Sequence, residues 1–258
     1  MTTATPEAVP PLDRVVTFPG VYAPQYDTRL LAGALRREVE ESRERQERRD
    51  SREDRENGMA GRTVLDIGTG SGALALYAAR LGATVTAVDI ARRAVLTARL
   101  NALLTRRRIT VRRCDPTGSG PGPLSRPLRF PRYDLVVSNP PYVPAPAART
   151  PRRGAARAWD AGPDGRAVVD RICAVAPGLL RPGGVLLMVH SEMCGPELTL
   201  ARLRDAGLRA GVTDRARVPF GPVLRSRLHW LRSRGLLAEE ADGEELVVVR
   251  AERPVAAG

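Results

Sequence analysis

From Arg62 to Ala206 the chain alternates between short β-branched runs and longer helical ones, and this rhythm restricts the fold more than any other feature. Thr63–Ile67, Thr84–Ile90, Ile109–Cys114, Tyr133–Ser138 and Gly184–His190 read as strands. Gly72–Leu81, Ala91–Leu104, Asp164–Leu180 and Pro196–Ala206 read as helices between or after them. Strands separated by helices of this length pair in parallel, through right-handed crossovers that cover both faces of one sheet. The tail departs from the pattern: Arg209–Val218, a helix over Val223–Arg234, then Glu245–Ala251. Two late strands around a helix predict an antiparallel edge on a mostly parallel, seven-stranded α/β sheet.

Before the alternation lie an N-terminal arm (residues 1–20) and a segment (21–58) that combines a helix with a charged linker; residues 59–258 form the main domain. Within the segment, Val21–Leu35 reads as a turn and a short amphipathic helix, with Asp27 or Thr28 as its N-cap. Arg36–Glu56 holds eight Arg, nine acids and Val39 as its lone apolar residue, so it is expected as an exposed helical extension or a flexible linker with no face to bury. Pro116–Arg132, rich in Gly, Pro and Ser, reads as a loop.

The composition, 43% apolar and 27% charged, excludes a disordered chain. The apolar stretch Ala73–Leu81 is interrupted by Arg80 and falls short of the ~20 residues a bilayer needs. No secretory leader is legible, so a cytoplasmic location without a membrane is expected. Cys114, Cys173 and Cys194 are odd in number and lack metal-ligand spacing; His190 and Cys194 straddle a strand end, so no metal site is expected. The net charge is +12, and every basic residue is arginine, which points to coding bias. Twelve Arg against two acids fall between Arg106 and Arg157, a distribution that keeps an acidic or nucleic-acid partner in view.

Three elements carry chemistry. In Val64–Gly72 (VLDIGTGSG) a buried strand ends in glycines that open a helix, so a ligand can approach the backbone. Gly68, Gly70 and Ala73 also satisfy a dinucleotide fingerprint, with Asp89 placed to hold a ribose in either case. Asp66 tips the balance: inside the strand it is badly placed for a pyrophosphate and well placed for a cationic ligand such as the amino group of S-adenosylmethionine. Asp89 ends TVTAVDI, where it can accept ribose hydroxyls or cap the next helix. Asp115 follows the third strand, either facing an adenine or simply opening an Asp-Pro turn. Asn139-Pro140-Pro141-Tyr142 follows the strand YDLVVS. Its prolines fix the backbone, so the Asn139 side-chain oxygen and the Pro140 carbonyl can bind the two N–H groups of a planar nitrogen, and Tyr142 can stack on it.

With these residues the sequence resembles the class I S-adenosylmethionine-dependent methyltransferases that modify planar nitrogens. Within them it is most similar to the HemK-type protein-glutamine enzymes, especially the short branch of archaea and eukaryotes. Val21–Thr28, Ala158–Arg166 and Arg215–Gly221 support the narrower match, which covers roughly residues 21–252. The resemblance implies a Rossmann-like sheet. It also implies that Asp66, Gly68 and Gly70 contact the donor's amino-acid end, that Asp89 binds its ribose and that Asp115 lies near its adenine. Thr28, with Tyr22 as a second candidate, would cover the cofactor, while Asn139 and Pro140 hold the acceptor amide and Trp159 lies on the acceptor side. The implied reaction is direct transfer of a methyl group to a protein glutamine, in a peptide release factor among other proteins. A helical recognition domain stands before the glycine motif in the long bacterial form, whereas here only a short helix and a charged segment do. The short branch often works with a small zinc-binding activator subunit. An adenine in nucleic acid and a small amide or amine metabolite are the alternative acceptors.

Overall fold

The computed structural model describes residues 12–47, 61–118, 130–147, 150–151 and 154–255. In chain order they form α1 (Tyr26–Glu47), β1 (Thr63–Ile67), α2 (Ala73–Arg80), β2 (Thr84–Asp89), α3 (Arg92–Leu104), β3 (Ile109–Arg113) and β4 (Tyr133–Ser138). There follow α4 (Val169–Leu179), β5 (Leu180–Ser191), α5 (Pro196–Asp205), β6 (Arg209–Pro219), α6 (Pro222–Arg225), α7 (Leu228–Ser233) and β7 (Gly243–Glu252). The sheet has the order β3-β2-β1-β4-β5-β7-β6. Its first five strands are mutually parallel, and β7 lies antiparallel between β5 and β6. The expected seven strands and antiparallel pairing at one edge are therefore present.

Strand composition tracks position in the sheet. TVLDI and YDLVVS, almost continuously apolar, are central and buried on both faces. ITVRR and RAGVTDRARVP alternate and sit at the two open edges, where one face meets water and charge discourages further strand pairing. One face packs on α1, α2 and α3 through Leu31, Leu35, Leu74, Tyr77 and Ala98, the other on α4 and α5 through Ile172, Ala176, Leu200 and Leu203. Strand order reverses between β1 and β4, so their carboxyl ends open a crevice where α/β sheets bind ligands. Among the described residues no helix is long and apolar enough to cross a membrane.

Four expectations need correction. The short helix expected after a turn within Val21–Leu35 begins at Tyr26 and runs on to Glu47, so Asp27 lies in its first turn and neither Asp27 nor Thr28 is the cap. The charged extension does bury a face: Glu38, Val39 and Ser42 are covered. Glu38 accepts from Arg250 on β7 at 2.7 and 3.2 Å, Arg62 donates to Ser42 at 3.0 Å, and Arg37 reaches Asp214 on β6. Those partners are remote in sequence, so local pattern could not reveal them; residues 48–56 lie outside the described residues. The helix expected from Asp164 starts at Val169, because Gly162 and Gly165 hold left-handed turns before it. The single helix expected over Val223–Arg234 breaks at Ser226–Arg227, where Arg227 leaves the helical path and its guanidinium meets Asp160 at 2.7 Å and the Pro144 carbonyl at 3.0 Å.

Candidate active site

The carboxyl ends of β3, β2, β1 and β4 stand side by side, and they bring Asp115, Asp89, Asp66 and Asn139 along one rim of the sheet. Asp66 lies deepest, 1% exposed. Its Oδ2 accepts from the Thr69 hydroxyl at 2.6 Å, while its Oδ1 is buried without a partner among the described residues. Burial pushes its pKa up to about 7, against the opposing Thr69 hydrogen bond. A buried oxygen of this kind lacks a donor, and an ammonium group supplies one.

Around it the glycine turn is rigid. The N–H groups of Gly68 and Thr69 both donate to the Val88 carbonyl, at 2.9 and 3.0 Å. Gly72 has φ +85, and a Cβ there would lie 3.1 Å from that of Ala98, so α3 packs directly on the turn. Behind it, Asn101 of α3 donates to the Ser71 carbonyl at 2.8 Å and exchanges two bonds with the backbone of Val16. One carboxamide thus pins the N-terminal arm to the turn.

Asp89 accepts from Gly70 N at 3.1 Å and Ala91 N at 2.7 Å, joining the glycine turn to the start of α3. Each carboxylate oxygen retains a further acceptor position. Desolvation raises its pKa as well. Asp115 closes a local turn, its Oδ1 accepting from Thr117 N at 2.9 Å and from Thr117 Oγ1 at 2.6 Å.

Across the crevice, Ser138 donates to the Ile67 carbonyl at 2.8 Å and ties the end of β4 to β1. Asn139, half-buried, donates through Nδ2 to Thr28 Oγ1 at 3.3 Å. Among the described residues no donor reaches its Oδ1 or the Pro140 carbonyl. Tyr142 is buried and gives its hydroxyl to Asp27 at 3.1 Å, which leaves little ring to stack on an incoming group; it serves instead as an anchor of the loop. The loop beyond is held from behind. The Cys194 thiol donates to the Tyr142 carbonyl at 3.1 Å, and Val143 pairs with the segment 159–161, accepting from Ala161 and donating to Trp159. A Cβ on Gly165 would stand 2.3 Å from that same Tyr142 carbonyl.

The structure therefore brings Thr28, Asp66, Gly68, Gly70, Asp89 and Asn139 to one crevice. Three participants escaped the sequence reading. Asp27, at 2% exposure, collects four hydrogen bonds. Glu244 at the start of β7 is buried with Oε1 unpartnered among the described residues, its pKa pushed up to about 7 by burial. Asn101 is the third. The sequence marks only Asp27, as a cap candidate; its gathering of four bonds, like the burial of Glu244 and Asn101, depends on partners distant along the chain.

Comparison with known proteins places this crevice. The model of the ribosomal protein L11 methyltransferase family (PrmA) matches residues 53–139, from the linker through the glycine turn to Asn139. The methyltransferase HEMK2 of Mus musculus is 31% identical over 202 residues, which cover 74% of this chain and 81% of that protein. The chain belongs to the HemK-type methyltransferases. A longer relative in this family, the release factor glutamine methyltransferase of Bordetella pertussis, is 41% identical over 162 residues, 59% of this chain and 56% of that protein. The chain thus spans little more than half the length of that enzyme. Among solved structures, the Mtq2 chain of the E. cuniculi Mtq2–Trm112 complex superposes with a TM-score of 0.53 at 22% identity, over 91% of this chain and 99% of that one, and shows the shared fold.

Proposed function

We propose that this HemK-type enzyme transfers the methyl group of S-adenosylmethionine to the side-chain amide nitrogen of a glutamine in a protein, of the release-factor kind. The observation that carries this reading is the pair of oxygens, Asn139 Oδ1 and the Pro140 carbonyl, which have no donor of their own among the described residues and follow β4, the strand paired with the one that bears Asp66. When bound, the donor supplies a methyl carbon already attached to its leaving group. Asp66 holds its ammonium through the unpartnered Oδ1, Gly68 and Gly70 admit its amino-acid end, and Asp89 accepts its ribose hydroxyls. Asp115 stands towards its adenine, and Thr28 closes over it from α1.

The acceptor's difficulty is electronic. An amide nitrogen shares its lone pair with the adjoining carbonyl, so it is a weak nucleophile. Two acceptors on its two N–H bonds hold the nitrogen facing the methyl carbon and stabilise the positive charge it gains as the N–C bond forms. The N–C bond forms as the S–C bond breaks, and the nitrogen then loses one proton. No covalent enzyme intermediate is needed. The protein-glutamine acceptor is supported by the likeness to the release factor glutamine methyltransferase of Bordetella pertussis.

Incubation of the enzyme with labelled donor and a cell extract, followed by mass spectrometry, tests the reading. Label should appear on protein as N5-methylglutamine. Label confined to nucleic acid, and lost steeply with salt, would replace the glutamine by a base.

A further inference from the structure

We propose that Asp27 is the positioning residue that decides which way the Asn139 carboxamide faces. This inference deepens the reading of Asn139 as the acceptor clamp and rests on it. The oxygen and nitrogen of a carboxamide have nearly the same shape, so packing alone does not choose between the two flips. Only one flip works here, because the incoming –NH2 group needs an acceptor and the other flip would offer it a second –NH2.

The choice follows from a chain of donors and acceptors. Asp27, 2% exposed, receives Thr28 N at 2.6 Å and Thr28 Oγ1 at 3.1 Å on its Oδ1, and the hydroxyls of Tyr22 and Tyr142 at 2.8 and 3.1 Å on its Oδ2. Four donors converge on a carboxylate that returns none. The one proton of the Thr28 hydroxyl is thereby committed to Asp27, and towards any other neighbour that oxygen can only accept. The neighbour is the Asn139 amide, 3.3 Å away, so its nitrogen must face Thr28 and its oxygen must face the opposite side. Because Asp27 also grips Tyr142, the same acid holds the far end of the acceptor motif against the first turn of α1. An alanine at 27 frees the Thr28 proton to turn to Asn139 Oδ1, and the clamp would then present hydrogens to the substrate; an asparagine keeps its oxygen towards Thr28, whose backbone N–H can only donate, and turns its –NH2 to the Tyr22 and Tyr142 hydroxyls.

Asp27→Ala and the conservative Asp27→Asn therefore test the inference together. With a glutamine peptide as acceptor, D27A should keep donor affinity within about threefold, measured by calorimetry, and lose roughly a hundredfold or more in kcat, with a smaller change in KM. D27N keeps an oxygen towards Thr28 and should hold kcat within about tenfold of wild type. A D27A kcat within threefold of wild type, or a D27N as poor as D27A, would overturn the proposal. Failure of wild type itself to methylate the peptide would count against the glutamine reading instead. An assay independent of the acceptor accompanies these. In 1H–15N spectra of the free protein, the side-chain amide pair of Asn139, assigned by its absence in Asn139→Asp, should move in both D27A and Thr28→Val and stay near its wild-type position in D27N; a pair unmoved in D27A or T28V refutes the relay, and T28V serves should D27A not fold.

Discussion

Lowering the pH from 8 to 6 should weaken S-adenosylmethionine binding by roughly tenfold through Asp66. Burial holds this carboxyl at about 7, with the Thr69 hydrogen bond opposing the rise. About nine in ten copies are then ionised at pH 8 and about one in ten at pH 6; if only the ionised form grips the ammonium, apparent Kd rises by roughly tenfold, or about 1.4 kcal/mol. Calorimetric titration of the donor at pH 6, 7 and 8 measures the slope. Asp66→Asn should bind weakly and without it. Glu244 also titrates near 7, so Glu244→Gln, which should retain the slope, separates the two acids. Stability of the free protein should respond with the opposite sign. A carboxyl whose pKa is raised on folding contributes stability below its ordinary unfolded pKa and loses it as pH rises through 7. At pH 8 the free enzyme therefore carries a buried carboxylate with one unmatched oxygen, and D66N should raise its Tm by about a few degrees. A slope that survives in D66N, or a D66N protein less stable than wild type at pH 8, would refute the reasoning.

Asn139→Ala should leave donor affinity unchanged and lower kcat by about 10²–10³-fold, the usual cost of removing one group that meets developing charge; a kcat near wild type in a methyl-transfer assay contradicts it. Arg250→Ala should cost about 1.5–3 kcal/mol in urea unfolding, because it takes a charged donor from Glu38 at 6% exposure, whereas replacing Glu38 and Arg250 together by leucine should cost less; equal losses would deny that the pair is coupled. Gly165→Ala should lower both Tm and kcat while sparing donor affinity, since its new methyl group would collide with the Tyr142 carbonyl at a backbone φ of +72; an unchanged kcat would show that the acceptor loop tolerates the shift.

Much of the fold was legible because its signals are local. The runs TVLDI, TVTAVD and YDLVVS announce buried parallel strands, and the glycines after the first of them announce the tight turn that opens α2. Asp66 could be singled out because a lone acid in an apolar strand has no structural excuse. What stayed hidden depends on partners far along the chain. Glu38 reads as part of an exposed helix or linker until Arg250, 212 positions later, reaches it. Tyr142 reads as a ring to stack on a planar substrate until Asp27, 115 positions earlier, claims its hydroxyl. The break at Arg227 is of the same kind: a helical pattern yields because one guanidinium is drawn to Asp160 and to the Pro144 carbonyl.

The place of β7 in the sheet sets an order of assembly. Among the described residues strand β6 has no neighbour but β7, and β7 slots between two strands made before it, so a ribosome must deliver residues 243–252 before β6 can be zipped in. Until then the newborn chain shows one unpaired edge at β5, and Glu244 and Ser191 have not met. The donor half of the crevice can thus mature early, while the wall beside the acceptor loop is completed late, and a tag or truncation that hinders this strand should spare cofactor capture longer than it spares turnover.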